Sequence, residues 1–178
     1  MRRWIGNMVK LFGRDGIICI TTNGFVKRNG ECVMGKGIAK TVSTYWPQHK
    51  KTLGKLITTN GNIVQPFFTH LQSTFVSFPV KPVQIINTGN NTVSHMNFKI
   101  GDTVPGWAAK ANPDIIRQSF IQLQEYVDTT NYTNVAIPLP GCGAGELSWK
   151  EDVEPIVIDM ALDDRYIFCS FKQKDFEY

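Results

Sequence analysis

No stretch of this chain approaches the roughly 20 consecutive apolar residues that a membrane-spanning helix requires. The first residues, Met1-Arg2-Arg3-Trp4-Ile5-Gly6-Asn7, carry two arginines with no apolar run behind them, which reads against a secretory leader. A soluble, intracellular, cytoplasmic protein with no membrane partner is the expectation. Cysteine is scarce: Cys19, Cys32, Cys142 and Cys169 form no C-x-x-C pair, and two of them sit in apolar, strand-like runs where cysteine is usually a small core residue. Reduced thiols are therefore expected. Histidine is scarcer, and His49, His70 and His95 show none of the short spacings of zinc ligation, so no metal ligand and no cofactor are assigned. Charge of one sign is nearly absent as an excess: 19 Lys and Arg against 15 Asp and Glu leave a net charge of +4. That balance suits phosphate-bearing ligands but falls far short of a dedicated nucleic-acid binder, and no stable nucleic-acid partner is expected. Repeats, low-complexity tracts and linkers are also missing. With 178 residues, 42% of them hydrophobic, the chain can bury one sizeable core and is too short for two ordinary domains, so a single domain over residues 1–178 is expected. Nothing here sets the oligomeric state.

What is present reads as alternating strands and helices. Short runs rich in β-branched and aromatic residues predict strands at Ile17 to Thr21, Ile63 to Phe68, Phe75 to Phe78, Val83 to Ile86, Val135 to Pro138 and Tyr166 to Phe171. The clearest helix has Asn112 as N-cap and Pro113 at its first position, with Ile116, Phe120, Leu123 and Val127 on one face. An earlier one spans about Gly37 to Trp46, with Ile38, Val42, Tyr45 and Trp46 expected to face inward until Pro47 forces a break or restart. A third starts near Ser148, where Glu151 three residues on completes a capping box, with Pro155 in its first turns. Strands alternating with helices predict a sheet covered on both faces. Asn87 to Gly101, rich in Asn, Thr and Gly, reads as a surface loop that could select the target admitted. Trp107 reads as a core or lid residue.

Two glycine-rich segments carry the chemistry. Gly30-Glu31-Cys32-Val33-Met34-Gly35-Lys36-Gly37 matches the spacing of a nucleotide-hydrolase phosphate loop up to Lys36, but Gly37 stands where that loop needs Ser or Thr to hold magnesium. Nor does Gly35-Lys36-Gly37-Ile38-Ala39-Lys40 fit the dinucleotide fingerprint, whose sixth position is here Lys40. What remains is a glycine-rich helix mouth, whose backbone N–H groups and dipole favour an anion. A second nest, Gly141-Cys142-Gly143-Ala144-Gly145-Glu146, follows the strand Val135 to Pro138 and faces the same sheet end, an arrangement suited to a diphosphate with a sugar on each side. Taken singly, either loop also reads as glycines that only supply turns. Asn23, at a strand end in Thr21-Thr22-Asn23-Gly24, reads equally as a turn-former bonding its own backbone and as an amide holding a ribose hydroxyl or a water.

The segments Ile20-Thr21-Thr22-Asn23-Gly24 and Val33-Met34-Gly35-Lys36-Gly37-Ile38-Ala39 together resemble the first signature of the macrodomains. Ile137-Pro138-Leu139-Pro140-Gly141-Cys142-Gly143-Ala144-Gly145-Glu146-Leu147-Ser148-Trp149 is similar to their phosphate loop, and Ile5-Gly6-Asn7-Met8-Val9 to the segment that contacts adenine, where an Asp often replaces Asn7. The M-G-K-G-I-A version resembles the branch of terminal ADP-ribose protein glycohydrolases and antitoxins that remove ADP-ribose from DNA. Within that branch, Ser77-Phe78-Pro79-Val80-Lys81 resembles the segment bearing a catalytic lysine that attacks the anomeric carbon of the distal ribose. The protein glycohydrolases carry an Asp where this chain has Gly145, and the DNA-directed antitoxins have glycine there.

The resemblance implies a three-layer α/β/α macrodomain with a mixed central sheet. It implies that the protein binds ADP-ribose and hydrolyses an ADP-ribosyl linkage on a modified protein or DNA. Lys81 and Asn23 are the implied catalytic residues. Gly6, Asn7, Met8, Asn23, Gly35, Lys36, Gly37, Ile38, Ala39, Gly141, Cys142, Gly143, Ala144, Gly145 and Glu146 are the implied ligand contacts. Burial beside another cation, for which Lys36 is the candidate, would lower the Lys81 pKa as a nucleophilic amine requires. Three alternatives stay open: a phosphatase acting on ADP-ribose 1″-phosphate, a module that binds ADP-ribose or a nucleotide signal without chemistry, and nucleic-acid sequestration through Arg2, Arg3, Lys10 and Arg14.

Overall fold

A computed structural model describes residues 1–176. The chain opens on a strand that its own pattern does not announce, β1 (Arg2–Ile5), a mostly exposed edge held by parallel pairing that sets Arg2 against Ile167 and Ile5 against Ser170. β2 (Gly16–Thr22) is a continuous apolar run, and α1 (Gly37–Tyr45) and α2 (His49–Asn60) follow it. Pro47 thus separates two helices, because its ring and missing N–H cannot continue the first. β3 (Gln65–His70) and β4 (Ser73–Pro79) form an antiparallel hairpin with Leu71 at φ 52° in the turn. β5 (Gln84–Ile86) and β6 (Thr103–Pro105) pair only with each other, so the apolar run at Val83 to Ile86 lies outside the main sheet. Then come α3 (Pro113–Asp128), β7 (Val135–Pro138), a π-helical turn at Trp149–Val153, α4 (Glu154–Asp159) and β8 (Tyr166–Ser170).

The six-stranded sheet has the order β1-β8-β7-β2-β4-β3, with β3 antiparallel to β4 and the remaining pairs parallel, so it is mixed. β2 lies inside it and shows why both faces are covered. Ile17 and Cys19 pack into the cluster with α3 and α4, while Ile18 and Ile20 pack into the cluster with α1 and α2, following the two-residue period of a strand. The architecture is three-layer α/β/α.

Asn112 caps α3 by accepting from Asp114 N at 2.8 Å and Ile115 N at 3.2 Å, and Ile116, Phe120, Leu123 and Val127 are all fully buried. Removing each such side chain from water contributes about 1.5–3 kcal/mol. α1 departs from its expected face. Ala39 and Val42 are its buried residues, whereas Tyr45 is 58% exposed and Ile38 half-buried, and Trp46 leaves the helix to pack among Phe12, Phe68 and Phe75. The capping box at Ser148 is shifted by one residue: Ser148 Oγ accepts from Glu151 N at 3.3 Å, but Asp152, not Glu151, returns a carboxylate to Ser148 N at 2.7 Å. The π turn supplies the extra residue. Among the described residues, no helix is long and apolar enough to cross a membrane.

Candidate functional site

The five strands of common direction all deliver their carboxyl ends to one cleft of about 1080 Å³. Gly6, Asn7 and Met8 follow β1, Asn23 follows β2, Val80 and Lys81 follow β4, the second glycine loop follows β7, and Phe171 follows β8. Strand ends converge there because parallel strands bring their connections back on the far side, leaving the crevice to loops.

The first loop enters the cleft as the mouth of α1. Lys36 is its N-cap without a side-chain cap, and the amides of Gly37, Ile38 and Ala39 have no hydrogen-bond partner among the described residues. Such first-turn donors carry the positive end of the helix dipole. A Cβ added at Gly35 or Gly37 would meet nothing within 4 Å, so both face open space. In the second loop the amides of Gly143, Ala144 and Gly145 likewise have no partner among the described residues. Gly143 is open, but a Cβ at Gly145 would lie 2.5 Å from both Gly141 O and Ala111 Cβ. The chain therefore has no room at position 145 for a carboxylate side chain. Gly35, Lys36, Gly37, Ile38, Ala39 and Gly141 through Gly145 all line the cleft.

Lys81 stands between the loops. It is 6% exposed, and its Nζ donates to Ala144 O at 2.8 Å and Trp107 O at 3.3 Å. Burial, reinforced by the Lys36 ammonium and opposed by the Glu146 carboxylate, draws its pKa down to about 8. Its place is set by α3, since Asn112 N donates to Val80 O at 2.9 Å. Lys36 Nζ lies 3.2 Å from His95 Nε2.

Asn23 lines the cleft and also does what a turn-former does: its Oδ1 accepts from Phe25 N at 3.0 Å and its Nδ2 donates to Val33 O at 3.0 Å. Each end keeps one further hydrogen-bonding valence. Asn7 accepts from Val9 N at 3.0 Å, capping a 3₁₀ turn at Met8–Leu11. Cys142 lines the cleft, but burial pushes its thiol up to about 12, so it is no nucleophile at neutral pH. Glu146, expected among the ligand contacts, does not line the cleft. Its Oε1 accepts from Ser94 N at 2.8 Å and Ser94 Oγ at 2.7 Å, and its Oε2 lies 3.9 Å from Lys110 Nζ.

Several cleft residues fall outside the glycine motifs. Val93, His95 and Met96 lie in the segment read as a surface loop, yet Val93 is 2% exposed and Asn87 3%, with Asn87 Nδ2 donating to Phe98 O and Lys99 O. Trp107 lines the cleft at 36% exposure, and Thr22, Trp149 and Phe171 line it too. Phe171 had a signal, an aromatic residue directly after a strand, but only the sheet order shows that this strand ends beside the others.

No protein-family model matches the sequence, and a search of the curated proteins found no match. Solved structures do match. The macrodomain of Mycobacterium tuberculosis DarG is similar at a TM-score of 0.65 and 19% identity, over 94% of this chain and 96% of that one. The macrodomain of Thermus aquaticus DarG is similar at 0.66 and 17%, over 94% and 95%. Thermosipho africanus DarTG in complex with ADP-ribose is similar at 0.63 and 18%, over 96% of this chain and 42% of that longer one. With a six-stranded mixed sheet between helical layers and two glycine loops at the carboxyl ends of its strands, this chain has the macrodomain fold.

Proposed function

We propose that the cleft binds ADP-ribose and that the protein hydrolyses an ADP-ribosyl linkage, with Lys81 as nucleophile. The observation that carries this reading is the Lys81 amine, buried between two glycine loops with a pKa of about 8. About a tenth of such an amine is neutral at pH 7, a far larger share than for a lysine in water. The open donors of both loops, the fold shared with a protein solved in complex with ADP-ribose, and a cleft of about 1080 Å³ support the ligand.

In this reading the adenosine lies near Gly6, Asn7 and Met8, and the diphosphate rests on amides of Gly35 to Ala39 and Gly141 to Gly145. The distal ribose lies between Asn23 and Lys81. The neutral Nζ attacks the anomeric carbon, and the bond from that carbon to the acceptor breaks with its electron pair going to the acceptor, which takes up the proton the amine loses. Water then adds at the same carbon, the bond to Nζ breaks, and ADP-ribose leaves with the free lysine restored. The acceptor is a modified protein or DNA, and the described residues form one macrodomain.

Calorimetric titration with ADP-ribose, beside turnover of ADP-ribosylated protein and DNA, tests the reading. Parent and Lys81→Ala should bind alike while Lys81→Ala loses at least 100-fold in kcat. Equal turnover by both would remove Lys81 from the chemistry. Binding without turnover by the parent would leave a binding module, and no binding by folded parent protein would overturn the ligand.

A further inference from the structure

The two carbonyls that hold Lys81 Nζ come from segments far apart in sequence, Ala144 in the second glycine loop and Trp107 before α3. Glu146 reaches from the first of these segments to the second. Its Oε2 lies 3.9 Å from Lys110 Nζ, and its Oε1 accepts from the backbone N and Oγ of Ser94 at 2.8 and 2.7 Å. Ser94 belongs to a strap that is laced onto the Trp107 segment: Val93 N donates to Ala108 O at 2.9 Å, and Lys110 N donates to Asn91 O at 2.8 Å. The strap's Val93, His95 and Met96 form a wall of the cleft.

Backbone geometry adds an independent argument. Glu146 has φ 61°, a left-handed conformation that favours glycine, in a segment that already uses glycine at positions 141, 143 and 145. A side chain retained at a position where glycine would be unstrained points to a use for its carboxylate.

We propose that Glu146 is a positioning residue: by tying the second glycine loop to Ser94 and Lys110, it fixes the two carbonyls that aim Lys81 Nζ into the cleft, without touching the ligand. This rests on the reading of Lys81 as the reacting amine. The Glu146 carboxylate also favours the protonated form of Lys81, against burial and Lys36, so the residue acts on both the direction and the ionisation of the amine.

Two variants separate these effects. Glu146→Gly removes the tie and relieves the backbone, so the protein should stay folded. Glu146→Gln keeps an oxygen for Ser94 and removes the charge together with the ion pair to Lys110. Acetylation of Lys81 by dilute acetic anhydride, quantified by peptide mass spectrometry from pH 6 to 10, reads the amine whether or not the protein turns over. Glu146→Gln should label along a titration curve displaced toward lower pH, because the carboxylate that favoured the ammonium is gone. Glu146→Gly should show the same displacement with a plateau rate changed at least threefold, since the amine is no longer held. With an ADP-ribosylated substrate, Glu146→Gly should lose about tenfold in kcat with KM within twofold, and Glu146→Gln should recover most of that loss below pH 8 as well as above it. Superimposable Lys81 labelling in parent and Glu146→Gly would overturn the proposal. Altered labelling in a series that lacks turnover even in the parent would sustain the positioning role while removing the hydrolase reading.

Discussion

The two glycine loops look alike in sequence and differ in structure. In the first, Gly35 and Gly37 face open space, and Gly37 has φ 57° at the start of α1. In the second, Gly141 at φ 78° and Gly145 are packed against Ala111 and each other, and Gly143 alone is open. Glycine in the first loop therefore uncovers the amides of a helix mouth, whereas in the second Gly141 makes room for the side chains of Ala111, Ile116 and Leu147 and Gly145 for the Gly141 backbone. One residue type serves two physical ends, and composition alone does not separate them.

Substitutions can break that contrast. The largest expected effect is at Gly143, where Glu has room to grow but brings a carboxylate to the donors meant for an anion. Gly143→Glu should lose at least 100-fold in ADP-ribose affinity by calorimetry while its Tm stays within about 2 °C. Intact binding there would move the diphosphate elsewhere. At Gly145 the outcome should invert, because the new Cβ has nowhere to go. Gly145→Asp should cost about 2–3 kcal/mol and lower Tm by about 5–10 °C in a thermal scan.

Next comes Lys81, which sharpens the contrast by probing the space between the loops. Its folded pKa of about 8 lies below that of a solvated lysine, so the unfolded chain holds the proton more tightly and stability rises with pH between about 8 and 10.5. Below pH 8 the buried charge is a full burden on the fold. Lys81→Met should raise Tm by about 2–4 °C at pH 6.5 and lose that advantage as the pH climbs toward 10.5. A pH-independent difference would mean that Lys81 ionises as an ordinary lysine. The smallest effect on the fold is expected for Gly35→Ala, with Tm within about 2 °C, since its Cβ meets no protein atom within 4 Å.

Much of this was legible from residue order. β7 was expected at Val135 to Pro138 and lies there, because a short β-branched run between turn residues has few alternatives. The α3 cap at Asn112 and its buried stripe were equally plain, as local side-chain chemistry and helical period decide both. β1 was not legible: its burial is low, and its strand conformation depends on pairing with β8, some 160 residues away. The capping box at Ser148 failed by one residue because the helix opens on a π turn, in which Trp149 and Val153 are buried, and the returning carboxylate comes from Asp152. Tyr45 was misplaced for a similar reason, since α1 ends there and Trp46 turns toward the aromatic cluster of β3 and β4.

At the candidate site the division is sharper. The glycine segments and Lys81 stood out in sequence because backbone access to an anion needs glycine and the lysine lies in a family-like block. Glu146 stood beside them as an apparent ligand contact, and only the structure turned its carboxylate toward Ser94 and Lys110. The strap from Asn87 to Gly101 resembled surface because Asn, Thr and Gly satisfy their own backbone in turns, yet Val93 at its centre is buried against the cleft.

By itself the sequence determined the alternation of strands and helices, the faces of α3, and the places of the two glycine loops, because periodicity and local hydrogen bonding are properties of neighbouring residues. Tertiary structure alone decided that five strand ends share one cleft, that Lys81 is drawn down by burial and by Lys36, and that the Glu146 carboxylate meets Ser94 and Lys110 outside the cleft lining. Burial, charge proximity and side-chain direction depend on residues distant in the chain, and no local pattern encodes them.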